Sequence, residues 1–337
     1  MPRKCAGLCL VAVCLTLCRT WQPISASPIR TNFASSITSE SMAAVWVAKD
    51  RGLFRKYGLD VQFILMPRSP LAVAALIAGE IDMAVMGPGH LMNAAIGGAD
   101  LVGIANFFQK LDYRLNGRPE LKKAEDLRGK RIAISGPGST SHIVTLLALQ
   151  TLGLEPNQAK ISFITIPGTE LNRRIALETG NVDATMLRGS IGDLYGGKGY
   201  TVLFNFKGSG VTMPQTMMVT TRRIAVAKPQ VAEAYLKTII EAIALLLDPT
   251  NKETVRRVIA SNLRLNNPAD VEEAYHSVVN SFERVPYPNL DGMKRLHSVL
   301  LSINPKLVTV RVETVVDSGL MNKLESTGFI QSVYRKP

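Results

Sequence analysis

The chain has 337 residues, 46% hydrophobic, 20% charged and 6% aromatic, with a formal net charge of +12. That length supports one large or two medium domains with substantial cores. The basic residues are scattered (Arg51, Lys56, Lys110, Arg118, Lys130, Arg173, Arg256, Lys294) without a basic helix or an aromatic-rich basic stripe. This argues against nucleic acid as a partner and leaves a solvated basic surface, or a diffuse positive field that favours anionic solutes.

The chain opens on Pro2-Arg3-Lys4, an apolar run over residues 5–18 and Ile24-Ser25-Ala26. This is the three-part pattern of a secretory signal, and the run is shorter than the roughly 20 residues of a membrane span. Residues 1–26 are therefore expected to be removed on export, which leaves a net charge of +9 because three basic residues and no acid go with them. All four cysteines (Cys5, Cys9, Cys14, Cys18) lie in this segment. The mature chain would then hold no disulfide, thiolate metal site or cysteine nucleophile. A lipid anchor on one of them is the alternative, against which stand Leu17 and Val13, bulky residues where a lipobox wants a small one.

Residues 29–34 read as the first strand, followed by the hydroxyl-dense Ser35-Ser36-Ile37-Thr38-Ser39-Glu40-Ser41, rich in N-cap candidates. Residues 42–49 read as helix with Val45, Val47 and Ala48 inward. A second strand is expected over residues 61–65, and Pro70 suits the first turn of a helix over 71–78. Residues 76–93 (LIAGEIDMAVMGPGHLMN) read as helix end, left-handed glycine cap at Gly79, short buried strand over 81–86, glycine-rich break over 87–90 and new helix from Leu91. The unit recurs at LETGNVDATMLRG: Leu76 matches Leu177, Gly79 matches Gly180, and Asp82 matches Asp183. Upstream, Gly58-Leu59 and Gly153-Leu154 each open a strand-like run, over 61–65 and 161–166. Two similar α/β lobes with a cleft between them would produce this repeat. A further strand is expected over 101–105, a crossover over 110–118 and the first strand of the second lobe over 131–135. Gly136-Pro137-Gly138-Ser139-Thr140-Ser141 then leads into a helix over 142–152. Further strands are expected over 200–206 and 217–221, with a return crossover at 207–210. Helices are expected over 231–247, 252–262, 269–282, 290–301 and 314–326.

The segments AKDRGLFRKYGLDVQFI, ALIAGEIDMAVMGPG, EDLRGKRIAI and ALETGNVDA, in that order and spacing, resemble the sulfonate/nitrate/taurine-type periplasmic solute-binding proteins of ABC importers. That family includes receptors for thiamine-pyrimidine precursors, and the resemblance covers about residues 29–330. It implies an α/β, two-lobed periplasmic-binding-protein type 2 fold: two mixed, mostly parallel five-stranded sheets flanked by helices, two crossovers and a ligand cleft between the lobes. The expected division is a signal over 1–26, lobe one over 27–112 and 211–337, and lobe two over 113–210.

In open α/β sheets, ligands bind beyond the carboxyl ends of strands, where helix amino termini offer free N–H groups. That rule and the resemblance give the expected ligand contacts: Ser36, Thr38, Ser39, Gly87, Gly89, His90 and Asn106 from lobe one, and Ser139, Thr140, Gly168 and Arg188 from lobe two. Phe107 is expected to stack on a ring or pack an alkyl chain. Arg188 is either a bidentate anchor for an anionic group or a surface arginine, and Ser139 and Thr140 either line an anion nest or only cap their helix. Asp82 and Asp183 are expected to fix turns by accepting backbone hydrogen bonds.

His90, His142, His276 and His297 lack metal-ligand spacing, and Gly-x-Ser-x-Gly does not occur. Neither catalytic residues, a metal nor a cofactor is expected. The expected function is an extracytoplasmic receptor of an ABC transporter. It captures a small polar or anionic organic solute by hinge closure and delivers it to a permease in the inner membrane, working as a periplasmic monomer. The alternatives are a thiamine-pyrimidine-type biosynthetic enzyme, which the mature chain's lack of cysteine opposes, and a soluble ligand-sensor domain.

Overall fold

The computed structural model describes residues 27–66 and 68–335; the expected signal and its cysteines lie outside the described residues. The first sheet opens with β1 (Ile29–Ser35). A 3-10 turn at Glu40–Met42 leads into α1 (Ala43–Asp50), which buries Val45, Val47 and Ala48 as its spacing predicts. Then come α2 (Leu53–Lys56), β2 (Leu59–Leu65), α3 (Ser69–Ala78), β3 (Met83–Met86), α4 (Pro88–Ile96) and β4 (Leu101–Lys110). The second sheet is built from β5 (Tyr113–Gly117), β6 (Arg131–Ile134), β7 (Ser162–Thr165), β8 (Ala184–Arg188) and β9 (Thr201–Asn205), with α5 (Thr140–Thr151), α6 (Glu170–Glu178) and α7 (Gly189–Gly197) between them. β10 (Thr212–Thr221) returns to the first sheet. Seven helices follow: α8 (Arg222–Ala227), α9 (Pro229–Leu247), α10 (Lys252–Leu263), α11 (Pro268–Ser281), α12 (Leu290–Leu301), α13 (Gly319–Ser326) and α14 (Phe329–Tyr334).

The strand orders are β2-β1-β3-β10-β4 and β7-β6-β8-β5-β9. In each sheet one strand, β10 or β5, runs against its two neighbours while the other ladders are parallel. Parallel strands covered on both faces read as unbroken apolar runs, and all four residues of β3 are buried.

The internal repeat is a structural repeat. Gly79 and Gly180 both take left-handed backbone, φ 77° and 75°, after α3 and α6. Asp82 accepts from the Asn32 N–H at 3.0 Å, and Asp183 from the Arg131 N–H at 2.8 Å. In return the Asp82 and Asp183 N–H groups donate to the Asn32 and Arg131 carbonyls. Each carboxylate thus pins the start of the strand that follows it, β3 or β8, to β1 or β6, a larger role than fixing a turn.

Several boundaries differ from the sequence reading. α4 begins at Pro88 rather than Leu91, because Gly87 serves as N-cap and a proline's missing N–H is no loss in a first helical turn. Residues 113–117, expected within a crossover, are β5. Its inward residues include Arg114, which is 1% exposed and bound to Asp112 and Asp193, and Asn116, whose amide donates to the Gly192 carbonyl. Polar residues hid this strand from a hydrophobic pattern. Of the helix expected over 314–326, only α13 forms. Val316 instead bridges Gly103 of β4, and Asp317 N–H donates to the Gly103 carbonyl.

One apolar cluster runs through Leu91 and Met92 of α4, Ile143 and Leu147 of α5, and Leu296, Val299 and Leu300 of α12. It joins elements flanking both sheets. A separate cluster fills the far face of the first sheet under α1 and α9.

Candidate functional site

The amino termini of α4 and α5 meet between the two sheets. A Cβ on Gly89 would lie 2.6 Å from the Gly138 carbonyl oxygen, and one on Gly87 would lie 3.7 Å from Thr140 Oγ1. At Gly89 only backbone without a side chain permits this approach, whereas at Gly87 a Cβ would make an ordinary contact. His90 lies in the same place: its ring is within 3.9 Å of an ideal Cβ on Gly138. Burial lowers the His90 pKa. Burial also pushes His142 down to about 4, so its imidazole is neutral near pH 7 and its Nδ1 accepts from the Gly138 N–H at 3.1 Å.

Other expected contacts hold local structure. Ser139 is the N-cap of α5, its Oγ accepting from the His142 N–H at 3.3 Å. Thr140 Oγ1 donates to the Gln215 carbonyl of β10, 2.8 Å away, and so ties the second sheet's helix to the first sheet's returning strand. Ser36 and Ser69 hydroxyls hydrogen-bond each other at 2.7 Å, and those of Ser39 and Ser41 at 2.9 Å. Thr38 and Gly168 are exposed, and Gly168 (φ 99°) packs on Asn172. Phe107 is fully buried and packs against Phe282 in the core, centroids 6.0 Å apart, so it is not placed to stack on a solute. The neighbouring Phe108 also packs on Phe282, centroids 4.9 Å apart, and lies under the Arg188 guanidinium. Asn106 is fully buried with both amide atoms unpartnered. Cross-strand register places it beside Met217, which in turn faces Met86, the residue before Gly87. Its side chain therefore shares the α4 face of the sheet, at the carboxyl end of β3.

Arg188 settles differently from an anion anchor awaiting its ligand. Its Nε lies 2.6 Å from Glu40 Oε1 across the two lobes, and its guanidinium covers the rings of Phe108 and Tyr113 at 5.4 and 5.7 Å. Burial works against its charge, but Glu40, Tyr113, Glu170 and Asp112 around it outweigh that and raise its pKa. Arg173, buried in α6, donates to Ser135 Oγ at 2.6 Å and faces Glu170 at 3.8 Å. Its Nε has no partner. Glu170 Oε2 accepts from the Arg188 N–H at 3.2 Å, and burial pushes the Glu170 carboxyl pKa up against the pull of both arginines. Beside Arg188 a cavity of about 100 Å³ is bounded by Tyr113, Gln215, Ser277 and Asn280, with room for about three waters. Tyr113 OH donates to Gln215 Oε1 at 2.7 Å.

Sequence reasoning missed Glu40 as a partner, and Glu170, Arg173, Tyr113 and Gln215 altogether. A signal existed for one of them. Helical spacing puts Arg173 on the face of Ala176 and Leu177, the buried side of α6. A cation there is an anomaly that asks for a partner.

The geometry matches known proteins. The alkanesulfonate-binding protein of Xanthomonas axonopodis pv. citri bound to MOPS superposes with a TM-score of 0.67 at 20% identity, covering 87% of this chain and 100% of that one. The periplasmic nitrate-binding protein of Synechocystis PCC 6803 gives 0.65 at 13% identity, covering 92% and 91%. Both have the periplasmic-binding-protein fold, and this chain shares it. In sequence, a Brucella abortus (strain 2308) protein named as a binding protein is 29% identical over 134 residues, 40% of each chain. The match thus spans about two fifths of the length of the curated relatives. The NMT1/THI5-like family model matches residues 39–252, more than half of the chain. With that match, and with the two-lobed α/β fold shared with ABC-type binding proteins, the chain belongs to the NMT1/THI5-like family.

Proposed function

We propose that the chain is an extracytoplasmic solute-binding receptor that captures a small solute between its lobes and hands it to an ABC permease. The observation that carries this reading is the fully buried Asn106 amide. Both its atoms lack partners, and cross-strand register sets it level with Met86, the last residue of β3, on the face of the sheet that carries α4. Leaving a buried polar atom unmatched costs about 1–3 kcal/mol, a cost that a bound solute would remove. The names of the structural relatives, alkanesulfonate- and nitrate-binding, support the same reading. We assign residues 27–112 and 211–337 to the first lobe and 113–210 to the second, with residues 1–26 as the export signal of a monomeric periplasmic protein. Binding leaves the solute unchanged in this reading, which is supported by His142 being held by the Gly138 N–H and by Glu40 and Glu170 facing arginines.

A thermal-shift screen over a solute panel tests this, because a ligand selective for the folded state raises the midpoint by mass action. The bound solute should be recovered intact by chromatography at one per chain. Turnover of any panel compound would move the reading to an enzyme. Mass spectrometry of the exported protein should show a chain starting near Ser27, and a diacylglyceryl-modified Cys18 would replace the soluble form with an anchored one.

A further inference from the structure

Each of the cations Arg188, Arg173, Arg114 and Lys110 around the cleft has a carboxylate partner. Arg188 is matched by Glu40 at 2.6 Å, with the two side chains 19% and 13% exposed. Arg173 and Glu170 face each other behind them. At the adjoining cavity Asp112 is held by Arg114 at 2.7 Å and Lys110 lies 3.8 Å from Glu283. What remains unmet is hydrogen-bonding capacity rather than charge. The Asn106 amide lacks both a donor and an acceptor partner, and Arg173 Nε lacks an acceptor.

We propose that the cleft selects an uncharged hydrogen-bonding solute, of the amide or lactam class, and that Glu40 sets this selection by serving as the built-in counter-ion of Arg188. The proposal rests on the reading of the cleft as the solute site. An amide edge offers an acceptor and a donor side by side, which is what the side chain of Asn106 presents in complement. An anion brought to Arg188 has two routes, and both are unfavourable. It displaces Glu40 and strands a largely buried carboxylate, or it sits beside that carboxylate and meets like-charge repulsion. The arginine that the sequence offers as an anion anchor is thus already occupied, by a residue of the opposite lobe. Glu40 starts the 3-10 turn leading into α1, so its position is fixed by a hydrogen-bonded element rather than a free loop.

The test uses the mature chain and its Glu40→Gln variant, titrated calorimetrically with two sets of probes. Nitrate, methanesulfonate and benzoate form the anionic set; nicotinamide, 2-pyrrolidone and urea form the uncharged set. The wild type is expected to take an uncharged probe and to show no saturable anion binding. Glu40→Gln keeps the shape and removes the charge, so it should gain at least tenfold in affinity for an anion, and adding Arg188→Ala should erase that gain. Wild-type binding of nitrate or methanesulfonate as tight as the variant's overturns the proposal and leaves the receptor reading standing. This comparison needs only the wild type if the variant does not fold, since tight anion binding by wild type is already fatal. A wild type and variant that bind no probe of either set overturn both the proposal and the receptor reading beneath it.

Discussion

Gly89→Ala separates closure of the cleft from stability of a lobe, because the two respond with opposite sign. Gly89 lies in the first turn of α4 with backbone that any residue adopts. Within its own helix, alanine is favoured over glycine by up to about 1 kcal/mol. Between the lobes the substitution is a collision. The new Cβ would lie 2.6 Å from the Gly138 carbonyl oxygen and 2.9 Å from Ile143 Cδ1. The isoleucine methyl can rotate away. The carbonyl belongs to backbone held by His142 and by the start of α5, so the helix ends must move apart.

Overpacking of this kind costs about 1–3 kcal/mol, and here it falls on the closed form alone. The expected result is a loss of solute affinity of about 5- to 150-fold, with a larger radius of gyration by small-angle scattering. Gly97→Ala is the control. Its Cβ would lie 3.5 Å from the Ala94 carbonyl oxygen, an ordinary contact, on the same helix's far end. Affinity and scattering that match wild type in Gly89→Ala would refute the idea that α4 and α5 must touch for the solute to bind.

Asn106→Leu should raise thermal stability, since it replaces an unmatched buried amide with an apolar side chain of similar size, and it should abolish solute binding; a variant that binds normally removes Asn106 from the site. His142 has a folded pKa of about 4 against an unfolded value of about 6.5, so the unfolded chain takes up the proton first and stability falls as pH drops through that window, by on the order of 3 kcal/mol. In urea titrations at stepped pH, His142→Gln should flatten this decline, and an unchanged slope would exclude His142 as its source. Ser139→Ala with Thr140→Ala should weaken binding at least tenfold by freeing α5 from β10, and the lost N-cap should also lower stability by about 1 kcal/mol; calorimetry on the cognate solute and denaturant midpoints read the two effects separately.

The repeat made the architecture legible. Glycines at left-handed caps and aspartates three residues later announce themselves in sequence, because their backbone demands are local. β5 stayed hidden because Arg114 and Asn116 are buried by partners supplied from α7 and the preceding turn, and no local pattern encodes a distant partner. The burial of Phe107 in the core escaped for a related reason. β10 pairs with β4 through register shifts near Phe108 and Asn106, and a slip of one residue reverses which face a side chain takes. Strand ends pointed to the loops that lead into α4 and α5, although both helices begin two or three residues earlier than expected. They could not show that Arg188 finds Glu40, since the pair is made by tertiary packing across two lobes.

The repeat also separates scaffold from chemistry. Asp82 and Asp183 perform the same backbone task, yet their side-chain partners differ: Asp82 accepts from the Thr31 hydroxyl at 2.8 Å, and Asp183 binds the Arg131 guanidinium at 2.9 Å. The same divergence governs the strand ends facing the cleft. β3 ends in Met86 before Gly87, whereas its counterpart β8 ends in Arg188 before Gly189. One lobe therefore presents an apolar strand end beside the glutamate-bearing turn, and the other presents the cation that meets it. A symmetric pair of lobes would oppose like to like. Because the strand ends have diverged in charge, Arg188 meets Glu40 of the other lobe as an ion pair rather than a repulsion.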